Sequence, residues 1–131
     1  MVTRLAVPPE VLTLLPGDTI RVTTEFDYTG PEVNPRMISA IYRPTLFDPH
    51  DEIVRVNKDF SIPSSPPPGQ HVAVEIDLVV PQTEYRTDYG LYSSIRDIPG
   101  PDLPTPYYDN LITIMGETQF TNLQITSYVK R

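Results

Sequence analysis

Asp88-Tyr89-Gly90-Leu91-Tyr92-Ser93-Ser94 is the stretch on which the reading of this chain turns. Asp88, Gly90 and Tyr92 are spaced by two and lead into residues with strand character, so the run marks a corner followed by a strand. Tyr92, with Asp88 and Gly90 before it, stands where the chain enters that strand.

The same architecture is legible on either side of the run. Upstream, Val72, Val74, Ile76, Leu78 and Val80 alternate with His71, Ala73, Glu75, Asp77 and Val79, which is the period of a half-buried strand. Pro66-Pro67-Pro68-Gly69 before it reads as a stiff polyproline-type connection. The clearest strand runs from Thr19 to Tyr28. Ile20, Val22, Thr24, Phe26 and Tyr28 share one face of it, Pro16-Gly17-Asp18 turns the chain into it, and Thr29-Gly30-Pro31 ends it. Arg36 to Arg43 is apolar on both faces, as a central strand requires. Glu52 to Ile62 is more polar and reads as one or two edge strands, with Val54 and Val56 inward and Pro63 as the stop. Val7 to Leu14 fits a broken first strand. Downstream, Leu91 to Asp97 and Asp109 to Met115 are strands joined by a proline-rich loop from Ile98 to Tyr108.

The 16 prolines rule out long helices. Short strands at this spacing predict an all-β sandwich in one domain, residues 1–131. Phe120 to Val129 is left over. Its β propensity predicts an extra C-terminal strand within residues 117–131, closing its own sheet or pairing with a neighbour.

Four features together resemble immunoglobulin-like accessory modules. They are Pro16-Gly17-Asp18, the alternating strand after it, the 88–94 run, and Tyr107-Tyr108-Asp109-Asn110 leading into the last core strand. These modules include the fibronectin type III-like and CARDB-like domains of bacterial and archaeal surface proteins and of phage virion proteins. The resemblance covers Leu14 to Met115 and implies that the 88–94 run is a tyrosine corner, with Tyr92 hydrogen-bonding back to the backbone across the corner and Asp88 and Gly90 completing the motif. It implies an immunoglobulin-like Greek-key β-sandwich of about seven strands, here with the extra C-terminal strand. Antibody-type domains place a Cys two residues after the corner tyrosine and a Trp in the core. Here Ser94 stands at the first position and the chain has no Trp, so the resemblance does not extend to that branch. Modules of this kind space, decorate or adhere, and their fold alone does not set a function.

A net charge of −7 repels phosphate backbones and argues against a nucleic-acid partner. No run approaches the roughly 20 apolar residues of a membrane span, so no membrane insertion is expected. Met1-Val2-Thr3-Arg4 leads to Pro8-Pro9 without a long apolar stretch and does not read as a signal peptide. The expectation is a small protein made in the cytoplasm or a domain cut from a larger exported one. Without Cys, thiol chemistry and disulfides are excluded.

His50 and His71 are the only histidines, and no nucleophile-elbow context surrounds Ser64 or Ser65. His71, Glu75 and Asp77 fall on a wet strand face. Asp48-Pro49-His50-Asp51-Glu52 is the densest group of ligand atoms, but its spacing matches no named metal site and reads as a solvated acidic loop. No catalytic, cofactor or metal residue is therefore expected, and the chain reads as a non-enzyme.

The interaction candidates are Tyr107 and Tyr108 in the loop, and Phe120, Leu123, Ile125 and Tyr128 in the last strand. The loop tyrosines either present flat rings or fold back over the end of the core. The function expected is a non-catalytic structural or interaction module, a subunit of a virion or other surface assembly lying at the virion or cell exterior. Its partners would be other protein subunits, copies of itself included. The alternative is a carbohydrate- or ligand-binding module of an exported multidomain protein.

Overall fold

The fold is that of a computed structural model, which describes residues 12–116 and 120–131. Eight strands follow one another: β1 (Leu12–Leu14), β2 (Thr19–Gly30), β3 (Arg36–Arg43), β4 (Asp51–Asp59), β5 (Ser65–Val79), β6 (Arg86–Arg96), β7 (Leu103–Pro104) and β8 (Tyr108–Ile114). The described residues contain no helix. One sheet has the order β1-β8-β6-β3-β4, with β7 beside the end of β6; the other is the antiparallel pair β2-β5. The chain is all-β, as its alternation predicts.

The core lies between the sheets. Ile20, Val22, Val74, Ile76 and Leu78 come from the β2-β5 pair. Met37, Ile41, Tyr89, Leu91, Ile112 and Ile114 come from the larger sheet. In β2 the alternation works as read: Ile20, Val22 and Thr24 are buried, with exposed residues between them. β3 is buried on both faces because β4 and β6 flank it and residues far along the chain cover its outer side. β4 is an edge strand, and Val54 and Val56 pack inward.

Three hydroxyls interrupt this apolar interior and satisfy one another. Thr24 Oγ1 donates to Ser93 Oγ across the sheets at 2.8 Å, and Ser93 Oγ lies 2.8 Å from Ser39 Oγ on the neighbouring strand. Buried polar groups persist when paired in this way. The turn before β2 is also closed locally. Gly17 takes φ 93°, a conformation that favours glycine. Asp18 Oδ2 accepts from the Leu15 amide at 2.9 Å.

Two expectations need correction, and a third is met where its residues are described. Pro66-Pro67-Pro68-Gly69 is not a separate connection but opens β5, where the pairing with β2 is irregular between Tyr28 and Gly30. Proline is tolerated there because a bulged position needs no ladder amide. The first strand is seen only as Leu12–Leu14, running parallel to β8; the rest of the Val7 to Leu14 reading lies outside the described residues. Lastly, Phe120–Arg131 forms no strand, so the extra C-terminal strand is absent from the described residues. The reason is topological: the outer edge of β8, the nearest edge in sequence, is already paired with β1. Residues 117–119 of that reading lie outside the described residues.

Candidate functional site

The corner belongs to Tyr89, not Tyr92. Tyr89 is fully buried, and its hydroxyl donates to the Glu84 carbonyl at 2.7 Å and lies 2.9 Å from Thr83 Oγ1. This is the backward bond to the preceding loop that defines a tyrosine corner. Tyr92, three residues on, points to the other face of β6, where its hydroxyl donates to Glu52 Oε2 at 2.7 Å. Residues three apart on a strand face opposite sides, and Tyr89 shares the core side with Leu91 while Tyr92 takes the other. Asp88 holds the Arg86 guanidinium through two bonds of 2.8 and 2.9 Å, and Arg86 Nη2 donates to the Pro44 carbonyl at 2.9 Å. Gly90 has its own reason. It sits opposite Tyr42 in the β3–β6 register, and a Cβ there would overlap the Tyr42 ring.

That overlap marks the base of an aromatic cluster on the outer face of the larger sheet. Tyr42 lies across Gly90 and donates its hydroxyl to Asp109 Oδ1. The rings of Tyr42 and Tyr92 meet at 6.3 Å. Tyr107 lies back over both, 5.5 Å from Tyr42 and 4.9 Å from Tyr92. His50 stacks on Tyr107 with ring centres 3.6 Å apart and planes 12° from parallel. Beneath them Arg55 grips Glu52 at 2.6 and 2.8 Å.

The electrostatics follow from these contacts. The Arg55 guanidinium, reinforced by the Tyr92 hydroxyl, holds the Glu52 carboxyl below its ordinary value. Burial, then the hydrogen bond to Asp109, pushes the Tyr42 phenol well above its ordinary value. Burial and Glu52 do the same to Tyr92. All three groups are thus held in their neutral-pH forms: two neutral phenols and one carboxylate. The cluster is a cover over the sheet. Tyr107 has given one ring face to His50, which weakens it as a stacking platform for a sugar.

Tyr107 and Tyr108 do not act together. Tyr108, the next residue along the strand, turns inward and packs against the core. There it helps line an open, largely apolar groove of about 250 Å³ between β2 and the ends of β6, β7 and β8, with Thr24, Phe26, Met37, Ile95, Leu103, Pro104 and Pro106.

The other candidates lie far from this cover. Phe120, Leu123, Ile125 and Tyr128 are 89%, 95%, 87% and 94% exposed, and Val129 is 73% exposed. They form a run of large apolar side chains held outside the sandwich. A second exposed apolar pair, Leu46 and Phe47, stands on a turn closed by the Thr45 amide to the Asp48 carbonyl at 2.8 Å.

The remaining chemistry-bearing residues are occupied by ion pairs. On the β2-β5 face, His71 Nε2 meets Glu25 at 2.8 Å and Nδ1 meets Asp27 at 2.9 Å. Beside them Arg21 bridges Asp77 and Glu75. The acidic loop does not converge: Asp51 pairs with Arg43, Glu52 with Arg55, and His50 with Tyr107. Among the described residues no group of three or more His, Asp or Glu side chains is placed to hold a metal ion.

Sequence reasoning gave no role to Tyr42 and Arg55, read His50 and Glu52 only as part of a solvated acidic loop, and took Asp109 only as an entry to the last strand. The available signal was Gly90 inside a strand, since a strand glycine often marks a close approach by another group. Compared with known proteins, the chain matches no family model, and no curated protein matches it.

Proposed function

We propose that this chain is a non-catalytic structural or interaction module of immunoglobulin-like type, a subunit of a virion or other surface assembly. It joins its neighbours through the C-terminal segment. One observation carries the reading: Phe120, Leu123, Ile125, Tyr128 and Val129 expose 73–95% of their surfaces within ten residues. Burying one such side chain is worth about 1.5–3 kcal/mol, so a run of five is a strong reason to associate. Contiguous exposed apolar surface marks interaction sites. The strand order is compatible with an immunoglobulin-like sandwich, and the Tyr89 corner supports that kinship.

The test is solution mass by light scattering across a concentration series, for the full chain and for a chain lacking residues 117–131. The expected result is a larger species for the full chain and a monomer for the shortened one. Equal assembly by both would remove the segment from its proposed role.

A further inference from the structure

We infer that the C-terminal segment of one copy docks in the apolar groove of a second copy, against Phe26, Ile95, Leu103, Pro106 and Tyr108. This rests on the proposed role of the segment in assembly and adds the surface that receives it. The groove is apolar along its floor and open to solvent, and Leu103 on its wall is 57% exposed. Such a surface and such a segment are complementary in chemistry.

Topology places the two at opposite ends of the sandwich. The groove lies where β3 begins and β6 ends, at Met37 and Ile95. The segment follows β8, whose last residue, Ile114, pairs with Arg86 at the start of β6. The stretch of β6 from Arg86 to Ile95 separates the two ends by about 30 Å. On its own body the segment stays exposed and unpaired, and its own groove is at the far end.

Charge complementarity selects the occupant. Of the chain's 10 Lys and Arg, Lys130 and Arg131 end this segment, and none of the 17 Asp and Glu lies between Phe120 and Arg131. The segment therefore carries +2, and the rest of the chain, with eight cations against 17 acids, carries −9. Glu25, which His71 contacts, lines the groove, and Asp102, paired with Arg96, immediately precedes its Leu103 wall, so the complement is the net charge of the body and not a free carboxylate. Apolar side chains enter the groove, and the two terminal cations reach an acidic body. Two copies that exchange segments close as a two-fold dimer, whereas a one-way contact between these two surfaces continues as a ring or a filament.

Complementation tests this arrangement. Leu123→Asp/Ile125→Asp disables the segment, and Leu103→Asp disables the groove; all three positions are exposed, and thermal melts confirm that each full-length variant folds. Each variant alone should remain monomeric. Mixed in equal amounts, they should form a species of twice 14.8 kDa and nothing larger, because only one intact segment–groove pair remains. Lys130→Glu/Arg131→Glu, which alters no folded element, should raise the concentration for half-assembly at least tenfold at low salt.

If Leu103→Asp assembles like the unaltered chain while Leu123→Asp/Ile125→Asp does not, the segment docks elsewhere. The groove assignment then fails and the assembly role survives. If shortening the chain leaves assembly unchanged, the assembly role of the segment fails as well. A mixture that stays monomeric, or an unaltered chain that is monomeric at every concentration, overturns the docking between copies. The latter outcome favours a segment folded back on its own body.

Discussion

Removing one hydroxyl, by Tyr89→Phe, tests the corner that joins the two sheets. The ring is fully buried and would stay in place, so the substitution isolates the bonds of its oxygen: donation to the Glu84 carbonyl at 2.7 Å and the 2.9 Å contact with Thr83 Oγ1. A net hydrogen bond contributes about 1 kcal/mol, and stranding a buried partner costs about 1–3 kcal/mol. Glu84 and Thr83 lie in a loop that water can reach in part, so the loss should be about 2 kcal/mol. For a domain of this size that corresponds to roughly 8 °C in Tm, or about 1 M in the urea midpoint at unchanged slope. Tyr92→Phe is the matched control. Glu52 would lose the Tyr92 donor but keep both bonds to Arg55, so this change should cost about 0.5–1 kcal/mol. Urea denaturation of both variants decides. A larger loss for Tyr92→Phe than for Tyr89→Phe would refute the assignment of the corner.

Three further outcomes follow from the geometry. Gly90→Ala forces a methyl into the Tyr42 ring, which the bond to Asp109 keeps from moving aside; a loss of about 3 kcal/mol is expected by urea denaturation. Ser93→Ala removes the centre of the Thr24–Ser93–Ser39 hydroxyl chain and should cost about 2 kcal/mol, whereas Thr23→Ala on the exposed face of β2 should change stability by less than about 0.5 kcal/mol. The bonds to Glu25 and Asp27 raise the His71 pKa above 6.5. The stabilisation it provides is therefore complete below the unfolded value and lost as pH rises through the folded one. An NMR titration should give a midpoint above 6.5, and the stability difference between the chain and its His71→Gln variant should shrink towards alkaline pH; a midpoint at or below 6.5 contradicts the bridging geometry.

Much of the scaffold was legible because it is encoded locally. The alternation in β2 and the two-sided burial of β3 depend on which neighbours a residue has along its own strand, and period alone reveals them. The corner was legible as a place but not as a residue. Tyr89 and Tyr92 both sit near the start of a strand and face opposite sides of it, and which side is the core is settled by the packing of the β2-β5 pair, which lies far off in sequence. The C-terminal segment shows the same limit more sharply. Its residues favour a strand, but a strand needs an edge, and whether β8 has one left depends on residues about a hundred positions earlier. The aromatic cover was illegible for a related reason. Tyr42, His50, Tyr92 and Tyr107 come from two strands and two loops, and only the folded sheet brings them together.

The parallel pairing of β1 with β8 has a mechanical consequence. β1 starts at Leu12 and β8 ends at Ile114, and the two run in the same direction, with Leu12 opposite Ile112 and Leu14 opposite Ile114. Tension applied between the two ends runs along this short ladder and loads its hydrogen bonds in shear, so that they must give way together instead of unzipping one by one. The Met115 amide, bonded to the Leu14 carbonyl at 2.9 Å, lengthens the same clamp. Survival under load is governed by the rate of unfolding and not by equilibrium stability. A chain of such copies under tension would therefore draw its strength from three residues at the margin of the sheet, and the well-packed centre would contribute little.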